Sequence, residues 1–150
     1  MYFLFSTVSG NVDNGITLYN MLRSLPVKIT MHNSGSINSI GNVIFLAGKN
    51  RFACANSTFM FHGVGKNIDR GTIFEKKDIM EMLDSFNAGE KQIASVLNQS
   101  TSMTVEQIDQ LFTQAATKNA DFAKTVGIVT DVKEISILLG TPSIQLVFNS

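Results

Sequence analysis

The chain has 150 residues, of which 44% are hydrophobic and 16% charged, so it holds enough apolar material for the core of one domain. Its 12 basic and 12 acidic residues give a formal net charge of zero, so no basic field points to nucleic acid as a partner. The basic residues are scattered and no apolar run approaches the length of a bilayer span, which argues against a membrane partner. We predict a single domain over residues 1–150.

The chain contains one cysteine, Cys54, and two histidines. A lone cysteine cannot form an internal disulfide, which suits a reducing compartment, and the small apolar neighbours of Cys54 indicate a buried packing residue. The three residues show no metal-ligand spacing, so we predict neither a metal nor another cofactor.

The first predicted elements are a strand and a helix. Residues 1–6 form a near-continuous apolar run without a targeting pattern, which is typical of a strand in a parallel sheet covered on both faces. A small-residue turn follows, and the apolar period then predicts a helix over Gly15–Leu25 that Pro26 ends. If the turn before this helix is purely structural, Asp13 or Asn14 serves as its cap.

The central part of the chain carries the candidate chemistry. Residues 27–32 alternate as a strand, and a small-residue turn over Gly35–Gly41 then places Ser39 where the next helix begins. A hydroxyl at a helix start can act as a nucleophile, with backbone N–H groups nearby to hold an oxyanion. The alternative is that Ser39 or Asn38 serves only as the helix cap.

Two strand-like segments, 52–55 and 58–61, lead to His62, the candidate base. The glycine-punctuated loop 63–71 follows, and it either leaves room for an extended substrate backbone or is simply a mobile loop. The other histidine, His32, lies on the strand before the small-residue turn and is predicted to be a structural polar residue rather than a base.

Three helices fill most of the second half of the chain. Residues 77–98 repeat apolar side chains at helical spacing and predict one long amphipathic helix. The capping-box pattern Thr-Val-Glu-Gln at 104–107 begins a second helix that is expected to reach Thr117, and a third helix covers 120–126. Residues 127–132 are predicted to form a closing strand, and the tail 135–150 receives no assignment.

In this order the features resemble the Clp protease proteolytic subunit family, a group of ring-forming serine peptidases. The matching pieces are the first strand and turn, the helix with Gly15–Tyr19, the Gly-x-x-x-Ser-x-Gly turn at Gly35–Gly41, the strand 56–62 and the long helix after it. The resemblance implies an α/β ClpP/crotonase-like fold, a ββα superhelix from which residues 75–101 protrude as a handle helix. The family has further βα units before its equivalent of the first strand, so we expect either their absence here or a first strand nearer the sheet edge.

The resemblance also implies the site residues. Ser39 takes the role of the nucleophile and His62 that of the base, while backbone N–H groups of Gly10 and Ile40 become the oxyanion donors. The family's Pro-Gly-Gly turn is Val-Ser-Gly at 8–10 here, and Ser9 tolerates positive φ less well than glycine. The alternative for this segment is a plain strand-to-helix turn.

The third member of the triad is missing from the expected place. The position of the family's catalytic aspartate falls on Ala115. The nearest acids in that stretch, Asp109 and Asp121, are each six residues away, which is roughly 9 Å of rise along a helix. Asp69, in the loop after His62, is a more remote option.

Three states of the site therefore stay open. The first is a Ser–His dyad in which Thr113, Gln114 or Thr117 and a water steer the imidazole. The second recruits an acid from elsewhere in the chain, and the third keeps the family scaffold with little peptidase activity.

The implied function is that of a cytoplasmic serine endopeptidase that hydrolyses unfolded polypeptides inside a closed homo-oligomer of stacked rings. An ATP-dependent unfoldase is a partner that follows from the resemblance alone. Two alternatives remain: a crotonase-type enzyme for acyl-CoA thioesters, and a catalytically weak or inactive scaffold subunit of a ring. The order of Ser39, His62 and the long helix argues against the crotonase alternative, and no basic pocket for CoA is visible in the sequence.

Overall fold

The computed structural model describes residues 1–146, over which the chain forms a six-stranded sheet and five helices. The elements in chain order are β1 (Tyr2–Thr7), α1 (Val12–Ser24), β2 (Thr30–Asn38), α2 (Gly41–Phe45), β3 (Asn50–Ala53), β4 (Thr58–Met60), α3 (Lys76–Ser100), α4 (Val105–Thr113), β5 (Thr117–Asn119), α5 (Ala120–Thr125) and β6 (Asp131–Val132). The predicted α/β class is confirmed.

The sheet is organised around β2. The first half of β2 pairs in parallel with β3 and its last three residues pair in parallel with β4, while β1 follows β2 from Thr30 to Ile37. β6 extends the sheet beyond β3, and β5 extends it antiparallel beyond β4. Because β2 and β4 are parallel, the residues that follow them leave the sheet at the same edge.

β1 is a strand with one covered face, which corrects the prediction that both of its faces are covered. Phe3 and Phe5 pack against the core, whereas Tyr2 and Leu4 on the other face are each 45% exposed. Within residues 1–146, β1 pairs only with β2, in agreement with a position at the edge of the sheet. A strand at an edge can leave one face in solvent even when its sequence is apolar throughout.

The boundaries of two early elements also differ from the predictions. β2 continues through Asn38, so the predicted small-residue turn shrinks to Ser39 and Ile40, because pairing with β1 and β4 extends the strand across Gly35. α1 begins three residues earlier than predicted, since the side chain of Asn11 caps it by accepting a hydrogen bond from the Asn14 N–H.

The core lies between the sheet and the helices. Its largest fully buried side chains include Phe45, Phe59, Phe61, Met31 and Ile37. The predicted long helix is confirmed as α3, and its second half buries Ile93, Ala94 and Leu97 in this core. Its first half leaves Ile79, Met80 and Leu83 each more than half exposed, at 57%, 56% and 57%.

The region after α3 is confirmed in part. Thr104 caps α4 and forms the predicted capping box with Gln107. The helix ends at Thr113 rather than at Thr117, because Ala115 adopts a positive φ of 48° and the chain then pairs with β4 as β5.

In the remainder of this region the helix prediction is confirmed and the strand prediction is too long. The predicted third helix corresponds to α5, and the predicted closing strand is reduced to β6. The end of the unassigned tail, residues 147–150, lies outside the described part of the chain.

His32 is a buried structural residue, as predicted, with no exposed surface. Its Nδ1 bonds the hydroxyl of Tyr2, and its Nε2 lies 3.0 Å from the carbonyl oxygen of Lys133. Cys54 is also buried, as predicted, with its Sγ 3.6 Å from the same Nε2. The His32 ring thus ties β1 and the segment after β6 to the middle of the sheet.

We expect this buried ring to make stability depend on pH. Burial lowers the pKa of His32 below its ordinary value of 6.5, so the unfolded state binds the proton more tightly. Stability should therefore be constant above pH 6.5 and fall as the pH decreases from there, with a slope of up to about 1.4 kcal/mol per pH unit. Urea unfolding between pH 5 and 8 measures this slope, and an unchanged slope in His32→Gln would contradict the assignment.

Gly41 allows β1 and α2 to approach each other, and we expect its replacement by alanine to destabilise the fold. A Cβ at this position would lie 2.2 Å from Cγ2 of Thr7 and 3.3 Å from Cγ2 of Ile37. Such overpacking costs about 1–3 kcal/mol of unfolding free energy. Gly65→Ala is the matched control, because a Cβ there meets nothing within 4 Å, and it should change stability by less than about 0.5 kcal/mol in the same denaturant titration.

Candidate active site

Ser39 lies in the turn between β2 and α2 and has an unusual backbone conformation. Its φ is 57°, a left-handed value that Ser39 and Ala115 alone adopt among the described non-glycine residues. The Ser39 N–H donates to the carbonyl oxygen of Met60 at 2.9 Å, which holds the turn against the end of β4. Strained backbone of this kind costs about 1–3 kcal/mol and clusters at functional sites.

Asn42 holds this turn in place, a role that no sequence pattern predicts. Its Nδ2 donates to the carbonyl oxygens of both Ser39, at 3.0 Å, and Met60, at 2.9 Å. Asn42 is 1% exposed, and its Oδ1 has no hydrogen-bond partner within the described chain. The one signal in the sequence was an amide three residues after Ser39 on an otherwise apolar short helix.

His62 follows β4 at the same edge of the sheet. The register pairs Asn38 with Met60, so Ser39 is one residue past the paired part of β2 and His62 is two residues past β4. Ser39 and His62 are both half-buried, so each is partly accessible to solvent. The hydrogen bond from the Ser39 N–H to Met60 therefore ties the serine to the segment that carries the histidine.

The two predicted oxyanion donors belong to segments that touch. A Cβ added to Gly10 would lie 3.1 Å from Cγ2 of Ile40, so the backbone at Gly10 passes directly against Ile40. Neither the Gly10 N–H nor the Ile40 N–H donates to an acceptor within residues 1–146. Ser9 does not adopt a positive φ, so the side chain there introduces no backbone strain.

Ala115, the position that the resemblance assigns to the acid, lies in the turn between α4 and β5. The Phe61 N–H donates to the carbonyl oxygen of Ala116 at 2.9 Å, which continues the β4–β5 register and places Ala115 opposite His62. Alanine supplies no carboxylate at this position.

The substitutes considered from the sequence do not hydrogen-bond the ring within residues 1–146. Within residues 1–146, no hydrogen bond joins the ring of His62 to a side chain of any of them, namely Asp69, Asp109, Asp121, Thr113, Gln114 and Thr117. The ring instead bonds the backbone, with Nδ1 2.6 Å from the carbonyl oxygen of Gly63.

A carboxylate that the sequence analysis did not consider lies beside this loop. Glu90, on α3, accepts a hydrogen bond from the Val64 N–H through its Oε1 at 2.9 Å. Glu90 is 26 residues from Val64 in the chain and lies in the middle of an amphipathic helix, so no local pattern points to it.

Two other kinds of site find no support in the described residues. Over residues 1–146, no group of three or more histidine, cysteine, aspartate or glutamate side chains is placed to hold a metal ion. No helix within the same range has the length and apolar character needed to span a membrane.

Comparisons with known proteins agree on one family. The model of the Clp protease family matches residues 1–136. Among curated proteins, the chain is 23% identical over 141 residues to the ATP-dependent Clp protease proteolytic subunit 2 of Pseudomonas aeruginosa, covering 88% of this chain and 65% of that protein. It is 24% identical over 134 residues to subunit 2 of Borreliella burgdorferi, covering 83% and 62%. It is 27% identical over 133 residues to subunit 1 of Corynebacterium jeikeium, covering 83% and 68%.

A solved structure supports the same fold. A ClpP1 mutant from Listeria monocytogenes superposes with a TM-score of 0.75 at 21% identity, covering 90% of this chain and 74% of that one. The chain spans a little under two thirds of the length of the first two curated relatives, at 65% and 62%. The fold and the match over residues 1–136 show that this chain belongs to the Clp protease family.

Proposed function

We propose that this chain is a serine-type peptidase subunit in which Ser39 is the nucleophile and His62 the base. The observation that carries the proposal is the turn at Ser39, where a serine is held at a φ of 57° by the segment that leads to His62. The alternative that Ser39 or Asn38 caps the helix is wrong, because the N-cap of α2 is Ile40 and no side chain caps this helix. The family assignment points to the same chemistry.

The proposed reaction is acyl transfer in two stages. His62 removes the proton from the Ser39 hydroxyl as its oxygen attacks the scissile carbonyl, and the resulting oxyanion is held by the N–H groups of Gly10 and Ile40. His62 then gives the proton to the leaving amine, which departs as the acyl-enzyme forms. Water, deprotonated by His62, hydrolyses the ester and restores the Ser39 hydroxyl.

We further propose that the substrates are unfolded polypeptides and that the chain acts within a closed oligomer in the cytoplasm. The relatives are proteolytic subunits of ATP-dependent Clp proteases, which supports both an oligomeric chamber and an unfoldase partner. The exposed apolar side chains at the start of α3, Ile79, Met80 and Leu83, suit contact with a second copy of the chain. An extended substrate would lie beside the loop after His62, where the chain has no regular secondary structure.

A second candidate function is that of a scaffold subunit with little peptidase activity. Ala115 favours it, because the position opposite His62 carries no acid. The comparisons give no support to the crotonase alternative, since the family model and the relatives named above are Clp proteases.

Covalent labelling separates the two candidates. We expect a fluorophosphonate probe to add its mass to the peptide that contains Ser39, and Ser39→Ala to abolish the label. His62→Ala should slow labelling by about 10²–10⁴-fold, because a general base contributes that much. Ser34→Ala is the matched control, since Ser34 is exposed on the same strand, and it should label at the wild-type rate.

Intact-mass spectrometry follows the label, and light scattering follows the oligomer. Absence of label on an intact oligomer would contradict the peptidase proposal and favour the scaffold.

A further inference from the structure

The hydrogen bond of the His62 ring determines which of its nitrogens carries the proton. Nδ1 lies 2.6 Å from the carbonyl oxygen of Gly63, and a carbonyl oxygen only accepts hydrogen bonds. The neutral ring is therefore protonated on Nδ1, and its Nε2 keeps a lone pair. This is the tautomer that a general base needs, and in a Ser-His-Asp triad the carboxylate selects it.

The peptide group that accepts this bond is itself held by a carboxylate. The Gly63 carbonyl and the Val64 N–H belong to the same peptide unit. The Val64 N–H donates to Oε1 of Glu90 at 2.9 Å. A carboxylate, a peptide group and an imidazole are thus connected in series by two hydrogen bonds.

Two glycines lie at this contact. A Cβ added to Gly63 would lie 2.5 Å from Oε1 of Glu90, closer than non-bonded atoms allow. One helical position before Glu90, a Cβ added to the buried Gly89 would lie 3.3 Å from Cγ2 of Val64. The loop after His62 therefore packs tightly on α3 at the level of Glu90.

We propose that Glu90 is the acid of this site and that it acts on His62 through the Gly63–Val64 peptide. This proposal rests on the proposed function. Hydrogen bonds to a charged acceptor are roughly twice as strong as neutral ones, and connected hydrogen bonds polarise one another. The carboxylate therefore makes the Gly63 carbonyl oxygen a stronger acceptor for Nδ1–H, most of all when His62 becomes an imidazolium.

Glu90 is a positioning residue in this arrangement and takes up no proton itself. The proton that leaves Ser39 stays on Nε2 of His62 until it passes to the leaving group. Because the Gly63 carbonyl already occupies Nδ1, the site does not require an acid at position 115. The arrangement belongs to the state in which an acid is recruited from elsewhere in the chain.

Glu90→Gln tests the charge while it keeps an acceptor for the Val64 N–H. The maximal rate of fluorophosphonate inactivation should fall about tenfold, which corresponds to the difference between a charged and a neutral hydrogen bond. The probe concentration at half-maximal rate, the thermal midpoint and the oligomer size should stay at their wild-type values. Glu81→Gln is the matched control on the same helix, with an exposed side chain, and should leave the rate unchanged.

The glycine gives a second kinetic test. Gly63→Ala should also slow inactivation, because its methyl group displaces the carboxylate, and it should add little to the effect already present in Glu90→Gln. Independent, multiplicative effects of the two substitutions would contradict a shared role.

The tautomer of His62 gives a readout that does not depend on activity. With two histidines in the chain, nitrogen-15 NMR of the rings can be assigned by comparison with His62→Gln. We expect the neutral His62 ring to be protonated on Nδ1 in the wild type and to shift toward Nε2 protonation in Glu90→Ala. A ring protonated on Nε2 in the wild type, or populations unaffected by Glu90→Ala, would overturn the proposal.

The two experiments distinguish the possible failures. If the wild-type chain labels no faster than Glu90→Gln, the proposed role of Glu90 is wrong and the peptidase proposal is unaffected. If the wild-type chain does not label at all, the peptidase proposal is wrong. The NMR measurement then still shows whether Glu90 determines the tautomer of the His62 ring.

Discussion

The pairing of β2 with β4 is the constraint on which the site depends. These two parallel strands end together, and beyond their last paired residues the Ser39 N–H donates to the Met60 carbonyl oxygen. Asn42 then binds the carbonyl oxygens of both Ser39 and Met60 with one amide group. The Ser39 N–H and the carbonyl groups of Ser39 and Met60 are thus all held by hydrogen bonds between the turn and the end of β4. These hydrogen bonds hold Ser39 in its left-handed conformation.

Periodicity predicted those parts of the fold in which local sequence and tertiary packing agree. The long helix and the third helix were predicted to within about two residues, and the capping box at Thr104 was identified by its pattern. The small residues at Gly35 and Ser36 suggested a turn but form part of β2. Strand pairing with β1 and β4 overrode their weak local preference, and neither partner strand is adjacent in sequence.

Some residues of the candidate site could be predicted from the sequence and others could not. Ser39 and His62 were named from their order and spacing in a resemblance to a family, and the family itself is now shown. Asn42 and Glu90 were not named, because what matters about each is a contact with a backbone group 18 or 26 residues away. Amide and carboxylate side chains are common on helices, and the local sequence does not indicate which loop will pack against them. Ala115 was named from the resemblance, but its register relative to His62 depends on the antiparallel pairing of β5 with β4, which the sequence does not show.

The proposed role of Glu90 links the base to the helix that carries the exposed apolar surface. α3 presents Ile79 and Leu83 to solvent near its start and places Gly89 and Glu90 against the loop after His62 further along the same helix. A helix moves largely as a rigid element, so a shift of α3 on assembly would displace the carboxylate relative to the Gly63–Val64 peptide. An acid at position 115, by contrast, would lie in the turn that leads into β5, next to the sheet, and would depend less on how α3 is placed. If Glu90 acts as proposed, the loss of the acid at position 115 therefore exchanges a carboxylate next to the sheet for one whose placement depends on how α3 is packed.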